Sequence, residues 1–422
     1  MIIQKPKGTY DLLPEKAFSR VYAESKIREI FDLFNYREIR TPTFEYTSLF
    51  KRSIGENTDI VSKEMFTFNN SEYSLKPEMT APVIRAYLEN GLYNQSPLIK
   101  LYYISNMYRY ERPQAGRFRE FSQFGAEAIG SSEPFIDAEM IVLAAFILSE
   151  FQIRNYKIKL NNIGTPDERK KYLEKLFNYL NKFKNDLSED SKKRLQKNPL
   201  RILDSKMPED RKIIENAPRL YDYLEQSTIK NFEQVQSLLS GLGISYEIDY
   251  FLVRGLDYYT STTFEIVSDE LGAQDAIFGG GRYDLLTKQL GGKPTPAIGF
   301  ACGFERFFSL MEKYEYCIPE ENKCILYIVT SGNKASVFAL NLIYELRKSG
   351  FKCEMDYLNR SIKSQMKEAN KINAAYTAVI GNNELDSGKI LMKKMSDGNQ
   401  TEININNINN FLINENKTGK TG

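Results

Sequence analysis

Two long strand-like segments joined by a very short connection most constrain what this chain can fold into. Residues 98–111 read LIKLYYISNMYRYE and residues 119–129 read REFSQFGAEAI. Only RPQAGRF, residues 112–118, separates them. Because a parallel pair of strands needs a crossover of a dozen or more residues, the two segments predict an antiparallel hairpin rather than a strand–helix–strand unit.

Polar side chains share one predicted face of this hairpin, because side chains alternate between the two faces of a strand. The residues that share a face are Met107, Arg109 and Glu111 on the first strand, and Phe121, Gln123, Gly125 and Glu127 on the second. An antiparallel sheet is free to expose one face to water, so a solvated face is one interpretation. A binding surface is the other.

Other segments also place charged residues within apolar stretches or at their ends. They are LKPEMT (75–80), RPQAGRFR (112–119), LVRGLDYY (252–259), GGGRYD (279–284) and GFACGFERF (299–307). The second contains Arg112, Arg117 and Arg119, which suit a phosphate-gripping loop. Arg306 falls in the first turn of a predicted helix, where an anion is favoured. Together the segments predict a pocket with several guanidinium groups and at least two carboxylates.

Two of these segments raise specific structural questions. Residues 252–266, LVRGLDYYTSTTFEI, have the flanks of a buried strand, yet Arg254 stands where a hydrophobic residue is expected. A buried guanidinium is costly unless an anion meets it, so we expect an anionic partner for Arg254. The three glycines of 279–281 would let the backbone approach a flat ligand closely.

Histidine is absent from all 422 residues, which excludes an imidazole base, a Ser-His pair and a histidine-ligated metal.

The chain has four cysteines, Cys302, Cys317, Cys324 and Cys353, and no two of them have CxxC spacing. They indicate neither a disulfide framework nor a zinc site, and we expect a reducing cytoplasm. No apolar stretch follows Met1, so we expect no signal peptide. The net charge of +2 argues against a polybasic nucleic-acid coat but leaves a local basic groove open.

The predicted secondary structure changes in character twice along the chain. From about residue 165 to 240, charged helical segments predict a helical insertion within one domain. Strands and helices then alternate over 323–413 and predict a separate α/β domain with a mixed sheet. The helix expected at 334–348 would bury Val337, Leu340, Ile343 and Leu346. The tail, residues 414–422, is expected to be disordered.

These motifs resemble those of the bacterial-type histidyl-tRNA synthetases, a family of class II aminoacyl-tRNA synthetases, over essentially the whole chain. The resemblance to class II motifs 1, 2 and 3 lies at residues 40–68, 108–130 and 296–307. LVRGLDYYTSTTFE resembles the histidine-specific signature of the family, and NPLRILDSK (198–206) its bacterial insertion. The resemblance implies an α+β fold with an antiparallel class II catalytic domain over 1–320, carrying the insertion, and an anticodon-binding α/β domain over 323–413.

The resemblance also implies roles for individual residues. Arg109 and Arg254 would be catalytic, binding the carboxylate that attacks the α-phosphate and the charge that grows on that phosphate. Glu127 and Tyr259 would each bind one imidazole nitrogen. The residues implied to bind ATP are Arg109, Glu111, Arg117 and Arg306. The residues implied to bind histidine are Glu78, Thr80, Gln123, Glu127, Arg254, Tyr258, Tyr259 and Tyr283.

The implied reaction activates L-histidine with ATP to histidyl-adenylate and pyrophosphate, and then transfers histidine to the 3′ end of tRNA(His). Its first step is an in-line displacement by an already ionised carboxylate, so it needs no general base and no histidine side chain. Mg²⁺ would be bound through the nucleotide, with no metal held by the protein itself. The resemblance further implies a cytoplasmic homodimer with motif 1, around Pro42, at the interface and no association with a membrane.

The chain departs from the family pattern at Lys76, where the family often has arginine, and at Tyr110 and Ser122, where it often has histidine. Two other functions compete with this interpretation. Regulatory paralogues in histidine biosynthesis bind histidine without charging tRNA, but the chain keeps its arginines and its C-terminal domain. The second competing function is that of a class II synthetase for proline, threonine or glycine. The segment LVRGLDYY together with Glu127 argues against it.

Overall fold

The computed structural model describes residues 2–55, 58–114, 116–272, 275–319 and 324–418. The chain forms two compact units, Met1–Cys317 and Ile318–Gly422. Several sequence expectations touch positions outside the described residues. These positions are residues 56 and 57 in motif 1, residue 115 in the arginine-containing loop, residues 320–323 at the expected domain boundary, and residues 419–422 in the tail.

An eight-stranded sheet lies at the centre of the first unit. The strands described in this unit are β1 (Arg37–Glu38), β2 (Phe44–Tyr46), β3 (Thr67–Phe68), β4 (Tyr73–Leu75), β5 (Ile99–Tyr108), β6 (Glu120–Ile129), β7 (Lys157–Asn162), β8 (Glu247–Ile248), β9 (Thr260–Val267), β10 (Ala276–Arg282) and β11 (Ala297–Gly303). The large sheet has the order β1-β5-β6-β11-β10-β9-β7-β8, and a small sheet has the order β2-β4-β3. The five central pairings, from β5 to β7, are antiparallel, whereas the pairings of β1 with β5 and of β7 with β8 at the edges are parallel.

The helices of the first unit cover this sheet and form the region expected to be an insertion. They are α1 (Pro14–Leu33), α2 (Thr47–Ile54), α3 (Thr80–Glu89), α4 (Pro134–Glu150), α5 (Pro166–Lys182), α6 (Glu189–Lys197), α7 (Pro208–Ile214), α8 (Gln226–Gly241), α9 (Leu286–Gln289) and α10 (Phe304–Lys313). Helix α5 begins at a capping box between Thr165 and Glu168, with Pro166 in its first turn. Helix α4 is apolar on nearly every side and lies in the core.

The hairpin predicted from the sequence is confirmed. Strands β5 and β6 pair antiparallel with Tyr103 opposite Gly125 and Ser105 opposite Gln123, so the expected faces are shared. The first strand ends at Tyr108 rather than at residue 111, so Arg109 lies just beyond it. Its backbone N–H still donates to the carbonyl of Arg119, at 2.9 Å, before the chain enters the loop.

The strand expected to begin near residue 252 begins only at Thr260. Residues 252–259 are irregular, and scattered side-chain and backbone groups rather than a neighbouring strand satisfy their backbone. The amide of Asn161 donates to the carbonyls of Tyr250 at 3.2 Å and Leu252 at 2.9 Å. The expectation of a buried strand through Arg254 was therefore wrong, and this arginine lies on a loop.

The second unit contains the predicted mixed sheet. Its described elements are β12 (Leu326–Thr330), α11 (Asn333–Lys348), β13 (Cys353–Met355), α12 (Ile362–Lys371), β14 (Tyr376–Ile380), α13 (Asn382–Ser387), β15 (Lys389–Lys394), β16 (Gln400–Asn404) and α14 (Ile408–Thr418). The order is β13-β12-β14-β15-β16. The pairings of β12 are parallel, and those of β14 with β15 and of β15 with β16 are antiparallel.

Two expectations for this unit were wrong. Ile343 and Leu346 are buried as expected, but Val337 and Leu340 are 56% and 51% exposed, because helix α11 packs through Ala335 and Ala339 in their place. Val337 lies about 200° around the helix from Ala335, so both cannot face the core.

The second wrong expectation for this unit was that its tail is disordered. Helix α14 continues to Thr418, so residues 414–418 are helical. Ile408 and Leu412 bury this helix in the core, and the Tyr376 hydroxyl donates a hydrogen bond to Glu415.

In the part of the chain that the structure describes, no helix combines the length and apolar character needed to cross a bilayer.

Candidate active site

A cavity of about 210 Å³ opens over the central strands of the large sheet. The predicted site residues that line it are Glu78, Thr80, Arg109, Glu111, Arg117, Gln123, Arg254, Tyr258, Tyr259, Tyr283 and Arg306. Glu127 is the remaining predicted residue and lies directly behind the cavity wall, hydrogen bonded to two lining residues. Of the three arginines in the loop, Arg117 lines the cavity, whereas Arg119 stacks on the ring of Tyr110.

One side of the cavity is a buried group of hydrogen-bonded side chains, which we call the polar cup: Glu78, Thr80, Glu127, Tyr258 and Tyr283. The hydroxyls of Thr80 and Tyr283 donate to the two carboxylate oxygens of Glu127, at 2.7 and 2.5 Å. The backbone N–H of Thr80 donates to Glu78 at 2.8 Å, and the hydroxyl of Tyr258 to the same oxygen at 3.4 Å. The N-terminus of helix α3 and strand β6 thus hold two carboxylates next to each other.

Burial governs the protonation of both carboxylates. It raises the pKa of Glu127 to about 8, although the hydrogen bonds from Tyr283 and Thr80 act in the opposite direction. Burial also raises the pKa of Glu78, against the backbone hydrogen bonds from Ala81 and Thr80 and the charge of Arg109. Near neutral pH the carboxyl group of Glu127 therefore carries a proton for much of the time and can donate as well as accept a hydrogen bond.

A glycine makes room for this arrangement. Gly299 on strand β11 lies opposite Glu127 on strand β6. A Cβ atom at Gly299 would lie 1.6 Å from Oε2 of Glu127 and 2.6 Å from the carbonyl oxygen of Ala126. The position therefore excludes every side chain while the carboxylate is in place.

The other side of the cavity holds an arginine cluster, Arg109, Arg117 and Arg306, together with Glu111. Glu111 forms ion pairs with Arg117 at 3.0 Å and with Arg109 at 3.8 Å. Arg306 lies in the first turn of α10, as predicted, and donates to the carbonyls of Gly116 at 3.3 Å and of Ala276 at 2.9 Å. Burial, and next the charge of Arg117, lower the pKa of Arg306, so this region favours an incoming anion.

Arg254 already has an anionic partner within the chain. Its Nη1 donates to the carboxylate of Glu265 on strand β9, a partner that the sequence analysis did not identify. The side chain is 21% exposed, and its Nε is buried without a hydrogen-bond partner among the described residues. A Cβ atom at Gly279 would lie 1.8 Å from Nη2 of Arg254. The first of the three glycines is thus needed by this guanidinium.

Two further residues support the cavity and were not anticipated. The hydroxyl of Tyr10 donates to Glu305 at 2.6 Å, and Glu305 also accepts from the backbone N–H of Ser122 at 2.8 Å. The ring of Tyr10 lies 4.9 Å from that of Phe118 in the arginine-containing loop. The only signal available was the position of Glu305 next to Arg306 in GFERF.

Comparisons with known proteins agree with this architecture. The family model "Histidyl-tRNA synthetase" matches residues 8–307, and the model "Anticodon binding domain" matches residues 324–415. A histidine–tRNA ligase of Halothermothrix orenii is 50% identical over 97% of this chain and 98% of its own length. One of Chlorobaculum parvum is 45% identical over 96% of both chains.

Solved structures add to this likeness. The apo histidyl-tRNA synthetase of S. aureus has a TM-score of 0.81 and 36% identity, over 97% of this chain and all of its own. The likeness therefore covers both the catalytic unit and the C-terminal unit. The chain belongs to the histidyl-tRNA synthetase family.

Proposed function

We propose that this protein joins L-histidine to tRNA(His), first forming histidyl-adenylate and pyrophosphate from histidine and ATP. The observation that carries the proposal is a single cavity in which a buried polar cup faces a cluster of guanidinium groups. Such a cavity suits a ligand that is polar and partly cationic at one end and strongly anionic at the other.

Histidine would bind in the polar cup. Glu78, Thr80 and Gln123 would surround its α-ammonium group, since an acidic and polar set of acceptors suits three N–H donors. Oε1 of Gln123 is buried without a hydrogen-bond partner among the described residues, which supports this placement because such an atom is costly unless a ligand satisfies it. Glu127 and Tyr259 would each bind one ring nitrogen, and Tyr258 and Tyr283 would close the walls.

This arrangement would also provide specificity. A site that hydrogen bonds both ring nitrogens discriminates by roughly 10⁴–10⁵ against amino acids that lack them, because its buried polar groups would remain unpaired. We therefore expect that no separate editing site is needed.

ATP would bind on the side of the arginine cluster. Arg109 would hold the α-phosphate and Arg306 the γ-phosphate, while Arg117 and Glu111 would adjust their ion pair to grip the nucleotide. Mg²⁺ would arrive with ATP and be held chiefly by phosphate oxygens, because the described residues contain no group of three carboxylate or thiol side chains suited to a metal.

Arg254 would act between the two sides. Its guanidinium would bind the attacking carboxylate of histidine and the negative charge that develops on the α-phosphate. The buried Nε supports this role, because it leaves a donor for the substrate while Nη1 stays with Glu265. No general base enters the step, since the nucleophile is already ionised.

The assembly and the location of the protein are also part of the proposal. Phe44, Tyr46 and Phe68 are exposed large aromatic residues on the small sheet that follows Pro42. Exposed apolar surface of this kind marks an interface, which supports a homodimer formed through motif 1. The C-terminal unit would bind the anticodon of tRNA(His). A cytoplasmic location is supported by cysteines that form no disulfide among the described residues.

Pyrophosphate exchange with the purified full-length protein tests this function. We expect exchange with L-histidine and only background exchange with proline, threonine and glycine, followed by charging of tRNA(His) transcript. Histidine binding without exchange would instead support a regulatory role, and exchange with another amino acid would contradict the proposed specificity.

A further inference from the structure

Residues 254–259 form an irregular segment, which we call the specificity loop, and it supplies four residues of the cavity wall. They are Arg254, Leu256, Tyr258 and Tyr259. A loop of this kind has no neighbouring strand to fix its backbone. Its shape must therefore be set by groups that reach it from other elements, and one of these is the carbonyl of Ile54 in helix α2, which accepts from the N–H of Asp257 at 3.1 Å.

Two arginines of the helical insertion hold this loop at its two ends. Nη2 of Arg201 donates to the carbonyl oxygen of Gly255 at 2.5 Å and lies 3.4 Å from the carboxylate of Asp257. Nη1 of Arg169, in helix α5, donates to the carbonyl oxygen of Tyr259 at 2.9 Å. Arg201 follows helix α6, so both contacts come from the segment inserted between β7 and β8.

The contact continues through the apolar core. Tyr172 and Leu203 of the insertion belong to one cluster of buried residues that also contains Tyr258 and Tyr259. Asn198 adds a hydrogen bond from its amide to Asp257 at 3.4 Å. The insertion and the wall of the cavity are therefore packed together rather than connected only by the chain.

We propose that Arg169 and Arg201 are positioning residues through which the helical insertion sets the shape of the specificity loop, so that histidine activation depends on the insertion. This inference rests on the proposed function, because its readout is histidine activation. Neither guanidinium lines the cavity, so each acts through the backbone of the loop. Small displacements of such a loop have large effects, since about 1 Å of misplacement can cost on the order of 10²-fold in rate.

The test uses the full-length variants Arg169→Gln and Arg201→Gln in histidine-dependent pyrophosphate exchange. We expect kcat/KM for histidine to fall roughly tenfold in each, while KM for ATP stays within about twofold. Arg211→Gln is the matched control, because Arg211 is an exposed arginine of helix α7 in the same insertion. We expect this control to behave as the wild type.

Hydrogen–deuterium exchange separates positioning from general stability. Amides of the specificity loop should exchange faster in both glutamine variants, whereas those of strand β6 should exchange as in the wild type. Faster exchange throughout the sheet, with equal losses for ATP and histidine, would show a merely structural role and overturn the proposal. Wild-type kinetics with wild-type loop exchange would also overturn it.

Arg201→Lys keeps the charge and the aliphatic stem, so it gives an answer even if Arg201→Gln does not fold. An ammonium group lacks the planar fork of a guanidinium, so we expect a loss of about threefold in kcat/KM for histidine together with faster loop exchange. A Lys variant indistinguishable from the wild type in both measurements would contradict the inference. If the wild type itself shows no histidine-dependent exchange, the proposed function fails instead.

Discussion

The two sides of the cavity are built in opposite ways. The polar cup is almost fully buried, with Glu127 only 1% exposed, and its groups hydrogen bond to one another on strand β6 and at the start of helix α3. The arginine cluster is partly open to water, with the Arg117 side chain 41% exposed, and Arg117 and Arg109 pair with Glu111. One side is buried and held by hydrogen bonds, whereas the other is held by ion pairs that water weakens.

Under the proposed function, this difference would let one cavity be both selective for its amino acid and able to release its product. Buried hydrogen-bonding groups discriminate strongly, because a wrong ligand leaves them unpaired. Partly exposed ion pairs can exchange a carboxylate for a phosphate at little cost, so under the proposed function the cluster would accept ATP and release pyrophosphate. Arg254 shares a property with each side: like the polar cup its side chain is mostly buried, and like the arginine cluster it forms an ion pair, with Glu265.

The largest effect is expected at Arg254, where the two sides meet. Arg254→Ala should lower kcat of pyrophosphate exchange by about 10²–10³, because it removes a preorganised donor to the developing charge. ATP binding, measured by equilibrium titration, should be retained, because Arg109, Arg117 and Arg306 remain. A variant with near-normal exchange would remove Arg254 from the mechanism.

Glu127→Gln tests whether the cup alone decides the choice of amino acid. We expect kcat/KM for histidine to fall by roughly 10², since the substitution disturbs a buried acceptor for an imidazole nitrogen. KM for ATP should change little. If ATP binding weakened as much as histidine binding, the two sides would not be independent and the comparison above would fail.

The same substitution should alter how stability depends on pH. The pKa of Glu127 is raised to about 8 in the folded protein and is about 4.3 in an unfolded chain, so between these values the folded state binds more protons. Its contribution to stability is therefore lost as the pH rises through this window, by on the order of 2 kcal/mol between pH 6 and pH 8. Urea unfolding of Glu127→Gln should show a flatter dependence on pH than the wild type, and parallel curves would contradict the burial effect.

The smallest effect is expected in the arginine cluster. Arg306→Gln should raise KM for ATP roughly tenfold, the loss of one charge-assisted hydrogen bond, with KM for histidine nearly unchanged. Added salt should weaken ATP binding in the wild type more than in this variant, because the variant has one cation fewer whose attraction to the phosphates salt can screen. Equal salt dependence in both would show that Arg306 does not meet the nucleotide.

Much of this site could be predicted from the chain alone. The short connection in the hairpin fixed an antiparallel pair, and strand alternation placed Gln123 and Glu127 on one face. The family motifs then identified the residues that gather around the cavity. These features are local in sequence, so spacing and alternation are enough to find them.

The contacts that hold these residues in place could not be predicted in this way. Glu265 as the partner of Arg254, and the position of Gly279 beneath that guanidinium, depend on which strands become neighbours. The hydrogen bond from Arg201 to the carbonyl of Gly255 joins residues 54 positions apart along the chain. No periodicity encodes such a distance.

The sequence by itself determined the kinds of chemistry available to this protein. With no histidine in the chain, no imidazole side chain could act, and the motifs indicated which other groups gather at the site. Only the tertiary structure decided which groups are buried, which are paired and which carry a shifted pKa, as Glu127 and Arg306 show. The physical reason is that desolvation and Coulomb interactions depend on distances through space, and the order of residues along a chain does not specify those distances.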